Sequence, residues 1–324
     1  NYKMENIAIL TGGDSAEYNI SLLSANTVLY HLDKSKYRAF IVHLMDGRFE
    51  VLLDDKKLFI DKTDFSFILS DEKMIFKKIF MALHGPPAEN GQIQHYFDNL
   101  KIPYNSCNAK VSALTFDKYE CNTRLKQLGF NCAQSYMYEN GNRINTDNIV
   151  NTVGLPCFVK PNGAGSSCGI SKVNEKHQLF EAIENALKHD SKVILESFVD
   201  GTEVSCGVYF DGKNVNSLPI TEIVSENDFF DYEAKYEGKS NEITPARISK
   251  KLTSEIQNTT IDIYKIMKLT GICRVDYIIQ NEVPFIIEIN TIPGLSEESI
   301  IPQQLKAANI SMSEVFDLCL ININ

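Results

Sequence analysis

Two rhythms run along the chain: short, nearly unbroken apolar runs, and longer stretches in which apolar residues recur with helical spacing. Residues 6–11 (NIAILT) form a run that ends in Gly12-Gly13, which predicts a buried strand turning into a helix carrying Ile20, Leu22, Leu23, Val28 and Leu29. Further runs follow at 39–44 and 75–85, the second leading into a loop with Pro86, Pro87, Asn90 and Gly91. Strands separated by helical stretches predict a small α/β unit with parallel pairing, whose loops at strand C-termini carry function. Residues 50–72 are charged and irregular, and no element is assigned there.

From about residue 107 the texture changes. Helical stretches at 109–116 and 117–129 end at Gly129-Phe130, and an Asn-rich polar stretch covers 139–148. A strand–loop–strand unit (155–173), a helix around 176–188 and a strand at 193–196 predict a second α+β unit. Strand-like runs at 203–210 and 218–224 precede a polar loop at 225–250. An amphipathic helix (251–268), two β runs (272–280 and 283–290) and two short helices complete the chain, with no internal repeat.

Composition narrows the class. A chain of 324 residues predicts two or three subdomains, and 44% hydrophobic with 23% charged residues describes an ordinary globular protein. A net charge of -10 argues against nucleic acid or a membrane surface as partner, but not against a nucleotide, which needs only local positive charge. No stretch approaches the ~20 apolar residues of a membrane span, and Ile7 to Leu10 is too short for a secretory signal. Eight scattered cysteines without a C-x-x-C pair read as reduced core residues of a cytoplasmic protein, and six histidines without metal spacing speak against structural zinc.

Three constellations carry chemistry. In the first, Lys160 precedes PNGAGSSCG (161–169) between two β runs; its glycines and serines let backbone approach a polyanion, although a plain hairpin turn would account for them too. The order is not that of a Walker A loop. In the second, Arg274 and Asp276 share one face of a strand by alternation, as do Glu288 and Asn290 of the next. If the two runs pair, three hard oxygen ligands of the kind Mg²⁺ favours stand beside an arginine; a solvated polar face is the alternative. The third is the aromatic and charged loop 229–239, which has no regular period and reads as a lid or as a solvated insertion.

Taken together and in order, these stretches resemble the D-alanine–D-alanine ligase family of the ATP-grasp superfamily over nearly the whole chain. GGDSAEYNIS (12–21), HGPPAENGQIQHYFDNLKIPYN (84–105), FDK (116–118), KPNGAGSSCGISKV (160–173), FFDYEAKY (229–236) and RVDY with EINTIPGLSEESI (274–300) each look like one of its signatures. The resemblance implies an α/β (α+β) ATP-grasp fold in three parts. These would be an N-terminal parallel-sheet substrate domain (1–106), a central lid domain (107–199) and a C-terminal domain with the metal site and closing loop (200–324). Nucleotide would lie between the last two.

The resemblance also implies roles. Lys118, Lys160 and, from the closing loop, Lys235 would contact nucleotide phosphates. Glu196 would meet the adenine amino group, with Val199 lining the slot and Glu203 holding the ribose. Asp276, Glu288 and Asn290 would bind two Mg²⁺, with Mn²⁺ as a substitute. Arg274 and the Gly294 N–H would form the oxyanion site, Ser299 would receive the second substrate's carboxylate, and Glu17 would hold the first substrate's ammonium. Glu17, Ser166 and Tyr236 would latch the loop. The implied activity is ATP-dependent joining of two D-alanines through an acyl phosphate, for peptidoglycan synthesis, in a cytoplasmic homodimer. The alternatives are a ligase of the same fold making D-alanyl-D-lactate or D-alanyl-D-serine, or an inactive nucleotide-binding regulator. Three positions depart from the family pattern: Ala88 and Asn90 stand where glycine and aspartate are usual, Ser197 stands where lysine is frequent, and Ala88 would limit positive φ.

Overall fold

The computed structural model describes residues 4–53, 56–165, 168–225 and 240–323. β1 (Glu5–Gly12) is the apolar run expected at the start, and it pairs in parallel with β2 (Tyr37–Met45) on one side and β7 (Lys78–Met81) on the other. α1 (Tyr18–His31) fills the crossover after β1. Ile7 and Ile9 of β1 point to the same side as Val28 of α1, where they share a core with Phe80. The opposite side of the sheet, with Ala8 and Leu10, packs on a phenylalanine cluster. Both faces are therefore covered, as a parallel sheet requires.

Residues 50–72, unassigned from sequence, turn out to be largely sheet. β3 (Arg48–Leu53) and β4 (Lys56–Phe59) extend the first sheet with antiparallel strands in the order β4-β3-β2-β1-β7, and β5 (Ser66–Leu69) with β6 (Glu72–Ile75) forms a separate hairpin. In β3 only every second residue, Phe49 and Val51, is buried, while Arg48 is exposed. Charges on the solvent side of such strands hide the pattern when they are read as composition.

α2 (Gln92–Leu100) and α3 (Ala109–Phe116) lead to α4 (Lys118–Gln127), whose first turn is capped by the Asp117 carboxylate accepting from the Glu120 N–H at 2.9 Å. A second, wholly antiparallel sheet follows. Its strands are β8 (Ser135–Glu139), β9 (Cys157–Pro161), β10 (Ser171–Val173) and β11 (Lys192–Ser197), in the order β10-β9-β11-β8. α5 (Thr146–Val153) and α6 (Leu179–Ala186) cover one face, burying Ile149, Leu179 and Ile183 against Val159 and Leu195. β8 ends where the polar stretch 139–148 begins and α5 starts within it, and the sequence had offered neither element.

The third sheet is built from β12 (Thr202–Phe210), β13 (Val215–Ser217), β14 (Thr221–Ser225), β15 (Ser240–Ile243), β16 (Cys273–Gln280) and β17 (Val283–Asn290). Its main path runs β15-β14-β12-β16-β17. β15 lies inside the expected loop 225–250. α7 (Lys250–Ile266) packs on this sheet through Ile256, Thr260, Ile263 and Tyr264. α8 (Ile300–Ala307) and α9 (Met312–Ile321) bury Ile301, Leu305 and Phe316 in the same core as β1 and α1. The end of the chain thereby joins the start.

None of the eight cysteines forms a disulfide, and all but Cys168 are buried. Among the described residues no helix is long and apolar enough to cross a membrane.

One buried side chain holds α8 to the third sheet. β12 pairs with β14 up to Ser205 and with β13 only from Val208, so its ladder is broken between them. Gln304 of α8 fills the break. Its Oε1 accepts from the Gly207 N–H at 3.0 Å, and its Nε2 donates to the Ser205 carbonyl at 2.9 Å and to Thr221 Oγ1 at 3.0 Å. A Cβ at position 207 would lie 2.5 Å from Gln304 Oε1, so only glycine admits this approach. Gln304→Leu would leave two buried backbone groups without partners. The expected cost is about 2–6 kcal/mol, at about 1–3 kcal/mol for each stranded group. Urea unfolding checks it as a lowered midpoint at unchanged m.

Candidate active site

A cavity of about 690 Å³ opens between the second and third sheets and reaches the loop ends of the first. At its floor, β16 and β17 pair in a register that sets Arg274 opposite Asn290 and Asp276 opposite Glu288. The hairpin read as a condition in the sequence thus exists, and all four side chains line the cavity. Arg274 donates to both oxygens of Asp276 at 2.9 and 2.8 Å, and Asn290 Nδ2 donates to Asp276 Oδ2 at 2.9 Å. The Ser205 hydroxyl also bonds to Asp276.

Lys160 enters from the second sheet. It stands diagonally across from Glu196 on the neighbouring strand, and the ammonium meets that carboxylate at 2.8 Å. Burial works against the Lys160 charge, but Glu196, with Glu288 and Glu203 behind it, outweighs burial and holds the ammonium above its ordinary value. Glu196 also accepts from Asn122 Nδ2 at 3.2 Å. Glu196 and Val199 are buried and are not part of the cavity wall, whereas Glu203 and Phe158 are.

The glycine-rich turn is tied down on two sides. Asn162 accepts the Lys118 N–H on its carbonyl at 3.2 Å and the Tyr119 N–H on its side chain at 2.9 Å, while Asp190 accepts the Gly163 N–H at 2.6 Å. Lys118 Nζ donates to the Ala164 carbonyl at 2.6 Å, and its side chain faces the cavity. Glu17 sits where the turn meets the first unit: a Cβ built on Gly85 or on Gly165 would lie 3.0 Å from Glu17 Oε2. Two glycines from distant segments therefore close on one carboxylate. Ser166, Lys235 and Tyr236, with the closing loop 229–239, lie outside the described residues.

At the far wall, Gly294 and Ser299 touch, since a Cβ on Gly294 would lie 2.8 Å from Ser299 Oγ. Ser299 Oγ pairs with Ser296 Oγ at 2.6 Å. The Leu295 N–H donates to Ser24 Oγ at 3.0 Å, and Ser24 Oγ lies 2.8 Å from His84 Nε2. His84 Nδ1 lies 2.7 Å from the Ile292 carbonyl, which only a protonated Nδ1 can serve, so Nε2 accepts from Ser24. Burial pulls the ring below its ordinary value, against the pull of Glu17, and keeps it neutral.

Ala88 does not adopt positive φ; it is buried, and its N–H bonds to the Gly85 carbonyl at 3.0 Å. Asn90 Oδ1 accepts the Gln92 N–H at 3.2 Å and retains the turn. Positive φ falls instead on Gly85 and Gly91, and a Cβ at 91 would collide with the Ala109 carbonyl at 2.2 Å.

Sequence reasoning missed Glu89, Glu242 and Gln303, all of which face the cavity. Glu89 had a signal, as a lone acid between Ala88 and Asn90 in a loop read as functional; Glu242 had none among the charges of 225–250. Burial, with Glu17 and Glu288 adding repulsion, pushes the Glu89 carboxyl up to about 8.

The family described as D-ala D-ala ligase N-terminus matches residues 6–107, and the D-ala D-ala ligase C-terminus matches residues 124–321. A D-alanine--D-alanine ligase of Flavobacterium johnsoniae is 51% identical over 314 residues, covering 97% of each chain. The VanG D-Ala:D-Ser ligase of Enterococcus faecalis superposes with a TM-score of 0.87 at 29% identity, covering 98% of this chain and 99% of that one. D-alanyl-alanine synthetase A of Vibrio cholerae does so with a TM-score of 0.88 at 25% identity, covering 98% of each.

The Glu89 environment predicts a pH signature in stability. As pH rises above the ordinary 4.5, the unfolded chain releases this proton while the folded protein keeps it up to about 8, so the unfolded state is increasingly favoured. Glu89→Gln removes that penalty. Its stability relative to wild type should grow from pH about 5 to about 8 and then level off, as followed by urea midpoints. A difference that stays flat with pH would show Glu89 already ionised in the folded protein.

Proposed function

We propose, from the premise that the chain belongs to the D-alanine–D-alanine ligase family, that it joins two D-alanines with ATP to give D-alanyl-D-alanine, a peptidoglycan precursor. The observation that carries this is one continuous cavity. It is lined by Lys118, Lys160 and the glycine-rich turn, by Asp276, Glu288 and Asn290, and by Glu17, Arg274, Gly294 and Ser299. A phosphoryl donor and two small zwitterions find complementary groups within it.

In this reading the Phe158 and Glu203 end takes the base and ribose, with Glu196 and the Val199 backbone at the adenine edge, and Lys118, Lys160 and Lys235 take the phosphates. A carboxylate is a poor electrophile, so the first D-alanine is phosphorylated before it is joined; that step is dominated by alignment and charge. Glu17 holds the ammonium of this first substrate. The second amine attacks the acyl carbon, and the charge that develops on its oxygen is met by Arg274 and the Gly294 N–H. Ser299 orients the second carboxylate. Ser166 and Tyr236 complete the latch over Glu17, which excludes water from the acyl phosphate.

Asp276, Glu288 and Asn290 suit Mg²⁺ by the chemistry of their donors, as oxygen groups set side by side across two strands. The bond from Asn290 Nδ2 to Asp276 leaves its amide oxygen out of that contact. When bound, Mg²⁺, or Mn²⁺ in its place, neutralises charge on the transferring phosphoryl group. We further assign the three-part division 1–106, 107–199 and 200–324, a homodimeric assembly and a cytoplasmic location. The three larger sheets, one in each part, support the division, and eight cysteines outside any disulfide support a reducing compartment.

With ATP and Mg²⁺ the protein is expected to release phosphate only when D-alanine is added, with D-alanyl-D-alanine as product. Equal release with L-alanine, or none with either, refutes the substrate. Asp276→Ala and Glu288→Ala should each lower turnover by about 10³-fold, the equivalent of several kcal/mol of lost charge stabilisation, while circular dichroism stays unchanged. Activity within a few-fold of wild type in a folded variant would sink the metal assignment.

A further inference from the structure

The second amino acid enters as a zwitterion, and its nitrogen can attack only after giving up a proton. Some group near Arg274, Gly294 and Ser299 must receive it. Several carboxylates in the cavity are otherwise engaged. Asp276 is bound by Arg274, Asn290 and Ser205. Glu17 is enclosed beside Gly85 and Gly165, next to the glycine-rich turn. Burial, with the charges of Glu17 and Glu288, favours the neutral form of Glu89. Glu298 is exposed at the rim.

Glu242 differs from all of these. It stands on β15, partly buried, and belongs to the same cavity wall as Arg274, Gly294 and Ser299. Gln303 Nε2 donates to Glu242 Oε2 at 2.6 Å and also to the Glu298 carbonyl at 2.7 Å, so the amide that holds Glu242 is itself fixed. Gln303 lies one helical turn beyond Ser299, and the Gln303 N–H bonds to the Ser299 carbonyl at 3.2 Å. The carboxylate is thus referenced to the very residue assigned to the second substrate's carboxylate. Burial pushes the Glu242 carboxyl up against the opposing effects of Gln303 and Arg274, which makes it a better proton acceptor than an exposed glutamate.

We propose that Glu242 receives the ammonium of the second amino acid and accepts its proton, so that the site selects an amine nucleophile. This rests on the ligase reading above. The ammonium gives one proton to Glu242, and the freed lone pair forms the C–N bond. The acyl C–O bond to phosphate then breaks, and its electron pair leaves with the phosphate. The nitrogen's second surplus proton departs with the phosphate, and Glu242 returns its own to solvent, so charge and atoms balance.

The experiment compares two nucleophiles on wild type, Glu242→Gln and Glu242→Asp. Hydroxylamine, largely uncharged at neutral pH, traps the acyl phosphate as a hydroxamate without needing a proton acceptor; D-alanine yields dipeptide only through the full second step. Glu242→Gln should form hydroxamate at the wild-type rate but dipeptide on the order of 10²-fold more slowly, with a raised KM for the second D-alanine. Glu242→Asp, which keeps the carboxylate, should fall between them and carries the same test if the glutamine variant does not fold. An unchanged dipeptide-to-hydroxamate ratio, or equal loss of both products, overturns the proposal. Wild type that forms neither product refutes the ligase reading instead, so the two failures are distinguishable.

Discussion

β16 and β17 are joined by a short turn, and their register decides which chemistry the cavity has. Arg274 opposite Asn290 and Asp276 opposite Glu288 all face the cavity, while Val275 and Ile289 between them point into the core beneath the sheet. A slip of one residue would exchange the two sets, burying two acids and an arginine and exposing the apolar layer. That penalty pins the register. Cavity and core are alternating faces of the same two strands, so the packing of Tyr277, Ile256 and Ile263 also positions the charges.

Around that floor the charges come from elements far apart in the chain. Lys160 is held by Glu196 across neighbouring strands of the second sheet, and Lys118 is anchored to the glycine-rich turn through Ala164. The Glu196 carboxylate balances the buried Lys160 charge, while the Ala164 carbonyl fixes Lys118 in place. In the proposed reading a nucleotide phosphate would take the place of Glu196 at Lys160, exchanging one charged partner for another.

The far wall depends on a neutral relay. His84, Ser24 and the backbone of Ile292 and Leu295 join the first unit to the loop that carries Gly294 and Ser299. A protonated ring would have no acceptor left for Ser24, so burial of His84 and the shape of the loop support one another. Gln304 anchors the same stretch from behind by completing the broken ladder of β12. The loop is therefore clamped on both sides by buried polar groups, of which His84 also lines the cavity.

Much of this was legible in one dimension. Strand alternation put Arg274 and Asp276 on one face and Glu288 and Asn290 on another, because a period of two is a property of the backbone. The runs at 6–11 and 193–196 announced strands because buried parallel or central strands are apolar throughout. Motif order pointed to the family, and the comparisons agree. Residues 50–72 escaped because their strands are half solvated, so charges mask the alternation that buries Val51 beside Phe49. Glu242 escaped because nothing local marks one acid among many; it becomes distinct only when α8 brings Gln303 against it. The sequence by itself determined the residue types and the faces they share along each strand, which follow from local geometry. Tertiary structure alone decided which faces meet, that Glu17 lies between Gly85 and Gly165, and that Glu89 crowds Glu17, because such contacts depend on distances between segments many residues apart.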